Sequence, residues 1–471
     1  MQLRLARMVE TSKPTLGGAA FSGRRNLQVV IDNDMCIGCG ACVAADPSVR
    51  LHLDPHKLMY EPERSGDERA AAVCPGLAVD FEGLQRELFP GSEPTPLGVI
   101  DGGVYLAQST DRERNLKASS GGIIKELLLK LLARDDIDGI IALQHVDGLR
   151  YEPTLSRTPA EIDELPGSIY HSLNFQKALA LLRAHKGRFV LVAIPCQLEG
   201  IFQYIFKCEP ALRERVAITV GLICGWTYSH HAIKAVCEYT GVNFDRLRNV
   251  TYRGGGPVGP LRLIEPDRET RVSRRISFNY QVAFDRAFNL PRCHLCIDHT
   301  NFLADIVVAD AWLPSTVMTK TGISLVVCRR RGVEEHLREL QREDSIKLLE
   351  VGPDEVEESQ THRVAYGDFA YAYADYLRRN GRFAPDMVGP NRQRTKLVSD
   401  KDVSAFHENT TTKIMLQRAG RYRALRLRKI MVEFRPYARR YLHWFGVRVL
   451  RFKSLFGTRQ ELAREDLKEF R

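Results

Sequence analysis

Cys36-Ile37-Gly38-Cys39-Gly40-Ala41-Cys42 sets three cysteines at regular spacing, and Cys74-Pro75 adds a fourth downstream. A C-x2-C-x2-C run lets one loop present three thiolates, and a remote Cys-Pro completes the ligand set of a ferredoxin-type 4Fe-4S cluster. Gly38 and Gly40 permit positive φ angles and close backbone approach to such a cluster. In two-cluster ferredoxins, a further cysteine just before a proline serves the other cluster. That place is Asp46-Pro47 here, so the proline is kept and the cysteine is gone. The reading is one cluster in this unit, held by Cys36, Cys39, Cys42 and Cys74. Zinc also takes four thiolates, but usually as two C-x2-C pairs rather than a triple run.

A second set of cysteines lies farther along. Cys196 stands in Ile194-Pro195-Cys196-Gln197, Cys224 in Gly221-Leu222-Ile223-Cys224, and Cys293-His294-Leu295-Cys296 forms a C-x2-C pair. Apolar runs at Gly139–Leu143, Phe189–Ile194, Val216–Ile223 and Ile306–Ala309 read as buried strands. Helical spacing appears at 123–132, 176–184 and 198–206, the first behind Ser119-Ser120-Gly121-Gly122 with Ser as its N-cap. Strands alternating with helices indicate an α/β core. Cys196 and Cys224 fall just past strand carboxyl ends, where open α/β sheets place their ligands. From spacing alone these cysteines are either ligands of a second cluster or buried apolar side chains. Cys208, Cys237 and Cys328 read as structural.

The chain has 471 residues, enough for two or three domains, and 44% of them are hydrophobic. Five segments are expected: an irregular 1–24, a ferredoxin-type unit at 25–90, two parts of an α/β core at 97–180 and 181–385, and a polar linker with a basic helical tail at 386–471. Pro90-Gly91-Ser92-Glu93-Pro94-Thr95-Pro96 reads as the first linker. No apolar run is long enough to span a bilayer, and Met1–Phe21 lacks the core of a signal peptide, so a cytoplasmic location is expected. The net charge is +10, yet Lys413–Lys453 alone carries 13 Lys or Arg against Glu433. Aromatic and aliphatic residues interleave these cations, which suits an anionic membrane's inner face or a lipid-linked substrate, or a partner groove, better than nucleic acid.

In order along 25–345, these motifs are joined by Gly167-Ser168-Ile169-Tyr170, Tyr252-Arg253-Gly254-Gly255-Gly256-Pro257 and Ala304-Asp305-Ile306. The ensemble resembles the beta-subunit family of coenzyme F420-reducing hydrogenases and dehydrogenases, which also contains 7-hydroxymethyl chlorophyll a reductase of plants. The resemblance implies an FAD- and 4Fe-4S-dependent oxidoreductase exchanging electrons with ferredoxin, a deazaflavin coenzyme or an organic substrate. The alternative is an electron-transfer subunit that docks to a partner enzyme. It also implies that Cys196, Cys224, Cys293 and Cys296 hold a second cluster. Ser119, Ser120, Gly121 and Gly122 become a flavin-binding loop, joined by Asn115, Lys117, Ser168, Tyr170, Gln197 and Arg253. A helix N-terminus with small residues suits a pyrophosphate. His171, Tyr170 and Asp298 are the candidate proton donors. Two departures stand beside the expected cofactors: Ala193-Ile194 replaces the family's usual Gly-Thr pair, and Ala309-Asp310 its Gly-Asp.

Overall fold

The computed structural model describes residues 25–428 apart from 257–258, 274–277, 317–318, 320 and 390–397. The expected irregular N-terminus at 1–24 and the tail at 429–471 lie outside the described residues, as does Pro257.

Eight strands form the main sheet. Across it they run Ile346–Val351, Gly103–Ser109, Ser324–Cys328, Ile306–Asp310, Val216–Leu222, Phe189–Ala193, Gly139–Asp147 and Arg150–Ser156. The middle four, from Ile306–Asp310 to Gly139–Asp147, are parallel. They are the four strands expected from continuous apolar runs, as two-faced burial requires. The flanking strands pair antiparallel. Arg150–Ser156 ends the sheet, and its Pro153 suits an edge. The result is a mixed α/β sheet.

The helix at Ile123–Leu132 begins as expected, but its N-cap is Gly122 in the left-handed conformation (φ 82°) and not a serine. The serines are engaged elsewhere: Ser119 Oγ accepts the Ser168 N–H, and Ser120 Oγ donates to the Ile323 carbonyl.

The cysteine-rich unit is fused to the sheet domain. One continuous apolar core joins Leu27, Val30 and Val79 to Phe202, Leu290 and Val327. Gly38 and Gly40 have φ 71° and 79°, and a Cβ on either would collide with the backbone of 173–176. That close approach is why the loop needs glycine there.

The segment expected as a polar linker is partly structured. Asp386–Val388 pairs in parallel with Ala78–Asp80 of the cysteine unit. Asp400–Arg418 is a helix capped by Ser399. The start of the basic stretch packs on the body: Arg418 pairs with Asp34, and buried Tyr422 hydrogen-bonds His231. Among the described residues, no helix is long and apolar enough to cross a membrane.

Candidate functional site

Cys36, Cys39 and Cys42 are buried, and with Cys74 they line one enclosed cavity walled by Val30, Met35 and Leu51. Cys42 lies in the field of the other three. Burial pushes the Cys39 thiol up to about 12 and Cys74 to about 11. Four such thiols are costly to ionise alone, and a cationic metal core offsets that cost.

The inner set is assembled by topology. Cys196 opens the helix Pro195–Cys208 beyond one parallel strand, Cys224 follows the neighbouring strand, and Cys293 and Cys296 come from the turn at Pro291–Leu295. Cys196 lies in the field of Cys224, Cys293 and Cys296. All four are half-buried, and no disulfide forms among the described cysteines.

The metal chemistry can be tested on spacing. Zinc–sulfur bonds are ~2.3 Å, so two sulfurs on one zinc lie within ~4.6 Å. Among the described residues, three ligand atoms within 4.8 Å of one another occur at His52, Asp54 and Glu61, and not within either cysteine set. Four thiolates in each set suit an iron–sulfur core, and the triple C-x2-C-x2-C run of the first favours it over zinc. Lys57 already occupies both oxygens of Glu61 at 3.0 and 2.7 Å.

The two sets are neighbours. Cys196 and Gly200 share a face of one helix, ~6 Å apart along its axis. A Cβ on Gly200 would stand 2.5 Å from Cys39 Sγ.

A cavity of about 480 Å³ is lined by Glu113, Leu116, Lys117, Gly167, Thr251, Arg253, Gly254, Gly255 and Arg262, and Arg253 ties it to Asp310 at the carboxyl end of a central strand. Arg253 is buried, bonds Asp310 at 2.5 Å through Nη1, and stands 5.9 Å over the Trp312 ring. The Nε atoms of Arg253 and Arg262 are buried without a partner among the described residues. Gly255 and Gly256 N–H groups hold this loop to the Leu116 carbonyl. Sequence reading singled out Arg253 and Lys117 but missed Arg262, whose signal was its place in a strand facing the glycine loop.

The other expected flavin residues are mostly absorbed by packing. Asn115 Nδ2 donates to the Gly121 and Gly322 carbonyls, and its Oδ1 accepts the Gly322 N–H. Gly121 N–H is taken by Ser324 Oγ, and Glu126 sits buried in the first helical turn, paired with Arg114. Ser168 is tied to Ser119, and Gln197 Oε1 caps its own helix at Ile194 N–H. Lys117 is exposed and paired with Glu113 at 2.6 Å. Tyr170 hydroxyl lies 3.4 Å from Arg253 Nη1.

Of the proton-donor candidates, Tyr170 touches a residue that lines the cavity, Arg253. His171 is buried, with Nε2 donating to the Leu149 carbonyl and Nδ1 accepting from Tyr252 hydroxyl. That pairing leaves the ring no proton to offer, and burial pushes its pKa well down. Asp298 is fully buried behind Cys296, and its carboxylate caps the Phe302 N–H. Burial, then the nearby Glu199, raises its pKa to about 7.

Two tetracysteine sites joined through one helix, at the carboxyl ends of the central parallel strands and near a cationic cavity, are the layout of an iron–sulfur electron-transfer oxidoreductase. The family model for the N-terminal part of the coenzyme F420 hydrogenase/dehydrogenase beta subunit matches residues 104–180, and the companion model for its C-terminal part matches 186–354. The chain belongs to the coenzyme F420 hydrogenase/dehydrogenase beta-subunit family. It is 26% identical over 259 residues to the coenzyme F420 hydrogenase beta subunit of Methanococcus voltae, across 51% of this chain and 84% of the relative. It is 22% identical over 362 residues to one subunit of the F(420)H(2) dehydrogenase of Methanosarcina mazei, across 68% of this chain and 96% of that one. A ferredoxin of Pyrobaculum islandicum is 47% identical over 55 residues, 11% of this chain and 50% of the ferredoxin.

Proposed function

We propose that this chain is an iron–sulfur flavoprotein that passes electrons between two 4Fe-4S clusters and FAD, with a deazaflavin coenzyme or an organic substrate at the far end. The carrying observation is linear order. The N-terminal cysteines, the inner cysteines and the cationic cavity are linked in turn through one helix and the carboxyl ends of neighbouring central strands. Neighbouring strands stand ~4.8 Å apart, which keeps the inner set and Asp310 close. Cys36, Cys39, Cys42 and Cys74 would hold one cluster, and Cys196, Cys224, Cys293 and Cys296 the other.

The cavity supports an anionic, phosphate-bearing ligand. Arg253 and Arg262 offer unpaired donors, Lys117 adds charge at the rim, and Gly254 and Gly255 let the ligand approach the backbone. Tyr170 is the group positioned to hand a proton to a ligand beside Arg253. A bound flavin would exchange hydride with a two-electron partner and single electrons with the cysteine-bound centres.

Two of the relatives are named as subunits, which supports a second reading: relay to a partner enzyme, with no organic substrate of its own. Metal and flavin analysis of anaerobically purified protein tests the main proposal. About eight irons and one FAD per chain are expected from two 4Fe-4S clusters, and zinc without flavin would refute it. Turnover of reduced deazaflavin with an artificial one-electron acceptor, without partner protein, would decide against the relay-only reading.

A further inference from the structure

Between the two cysteine sets lies a buried ion pair that no metal ligation requires. Glu199 is 0% exposed and Arg292 2%, and their charged ends meet at 3.2 Å. Arg292 directly precedes Cys293 of the inner set. Its Nε also donates to the carbonyl of Pro75, the residue after Cys74 of the N-terminal set. Glu199 lies on the turn of helix between Cys196 and Gly200, and Gly200 packs on Cys39. The pair is thus wedged between both centres. Its field reaches both: Glu199 acts on Cys39, Cys196 and Cys296, and Arg292 on Cys74, Cys196 and Cys296.

Stability does not explain the pair. Replacing a buried ion pair by well-packed apolar groups is often neutral or stabilising. Glu199 Oε1 moreover has no hydrogen-bond partner among the described residues. Electrostatics does explain it. A cluster on four thiolates is anionic and becomes more so on reduction, so a nearby guanidinium favours the reduced state and a carboxylate opposes it.

Resting on the two-cluster reading above, we propose that the Glu199–Arg292 pair is the electrostatic link between the two centres and tunes both of their reduction potentials. One electron leaves one centre as it enters the other, so the pair faces a charge that moves across it while the total stays constant. No proton transfer is needed to balance that step.

The test is an EPR-monitored redox titration of the anaerobic full-length protein, with iron content measured alongside. Glu199→Gln should move both midpoints to more positive potential, with iron unchanged. Arg292→Gln should move both to more negative potential, and it keeps the test open should the first variant misfold. The fully reduced wild type should show spectral broadening from magnetic interaction between adjacent centres. Shifts confined to one centre, absent in both, or of the same sign in the two variants would overturn the link. So would two non-interacting signals. Iron near four per chain, or zinc in its place, would instead remove the two-cluster reading, so the two failures are distinguishable.

Discussion

The two cysteine sets are built oppositely. The N-terminal set takes three thiols from one short loop and Cys74 from the same small unit, sits in apolar walls and is closed over by the sheet domain. The inner set draws on three distant segments, is half-buried, and has Glu199, Arg292 and Asp298 packed around it. In the first, four thiols face one another within apolar walls, so a bound metal would stabilise the fold directly. In the second, the sheet places the thiols whether or not metal binds. The first is therefore a structural liability without its metal, and the second a pre-formed socket.

The largest expected effect separates them. Cys39→Ser removes a ligand buried in the shared core, and should cost more than ~3 kcal/mol of stability along with the N-terminal iron. Cys224→Ser, at a strand end, should lose the inner iron while thermal unfolding stays within a few degrees. Equal destabilisation by the two would break the comparison.

A pH effect comes next, at the seam between the two regions. His230 N–H donates to the Leu58 carbonyl of the N-terminal unit, and its Nε2 meets the Ser172 carbonyl at 2.8 Å. His171 stacks edge-on against it at 4.9 Å. Burial pushes His230 down to about 4 and His171 well below its usual value. Both stay neutral in the fold but protonate near pH 6.5 once unfolded. The unfolded chain thus binds more protons below that pH. Stability is complete above about 6.5 and falls as pH drops towards 4, by up to ~3 kcal/mol for His230. Denaturant unfolding across that range measures it, and a flat profile would contradict the buried-neutral assignment.

Smaller again is Arg253→Gln. Loss of a buried charged donor should weaken retention of the cavity ligand by ~10- to 100-fold, equivalent to ~1.5–3 kcal/mol. Fluorescence titration of FAD into the stripped protein reads this, and unchanged affinity would place the ligand elsewhere. Gly200→Ala should cost ~1–3 kcal/mol by overpacking on Cys39, and should loosen N-terminal iron while sparing the inner set.

The same contrast explains what the sequence disclosed. Cys36 to Cys42 is legible because its ligands are local, and local spacing is what a sequence displays. The four parallel strands are legible because burial on both faces makes them continuous apolar runs. The antiparallel flanks were not read: Ile346–Val351 alternates Ile, Lys, Leu, Leu, Glu, Val, and Arg150–Ser156 contains proline. Convergence of Cys196, Cys224 and Cys293 depends on strand order, which spacing does not encode: strand ends left it one of two readings, and the resemblance favoured it. The packing of the Ser119–Gly122 loop was equally illegible. Its small residues answer to packing, since a Cβ on Gly121 would stand 2.6 Å from the Ala107 carbonyl oxygen.

The smallest effect asks whether charge at the cavity acts by position or by burial. Lys117 lines the same cavity as Arg253, but it is 75% exposed and already paired with Glu113. An exposed ammonium is screened by salt and loses side-chain entropy when it is held in place. Lys117→Gln should therefore change FAD retention by no more than about twofold, ~0.5 kcal/mol, and only at low ionic strength. A loss as large as that of Arg253→Gln, persisting in salt, would mean that the lysine closes over the bound ligand. The difference between buried and exposed cations would then vanish on binding, just as metal binding is expected to reduce the difference between the two cysteine sets.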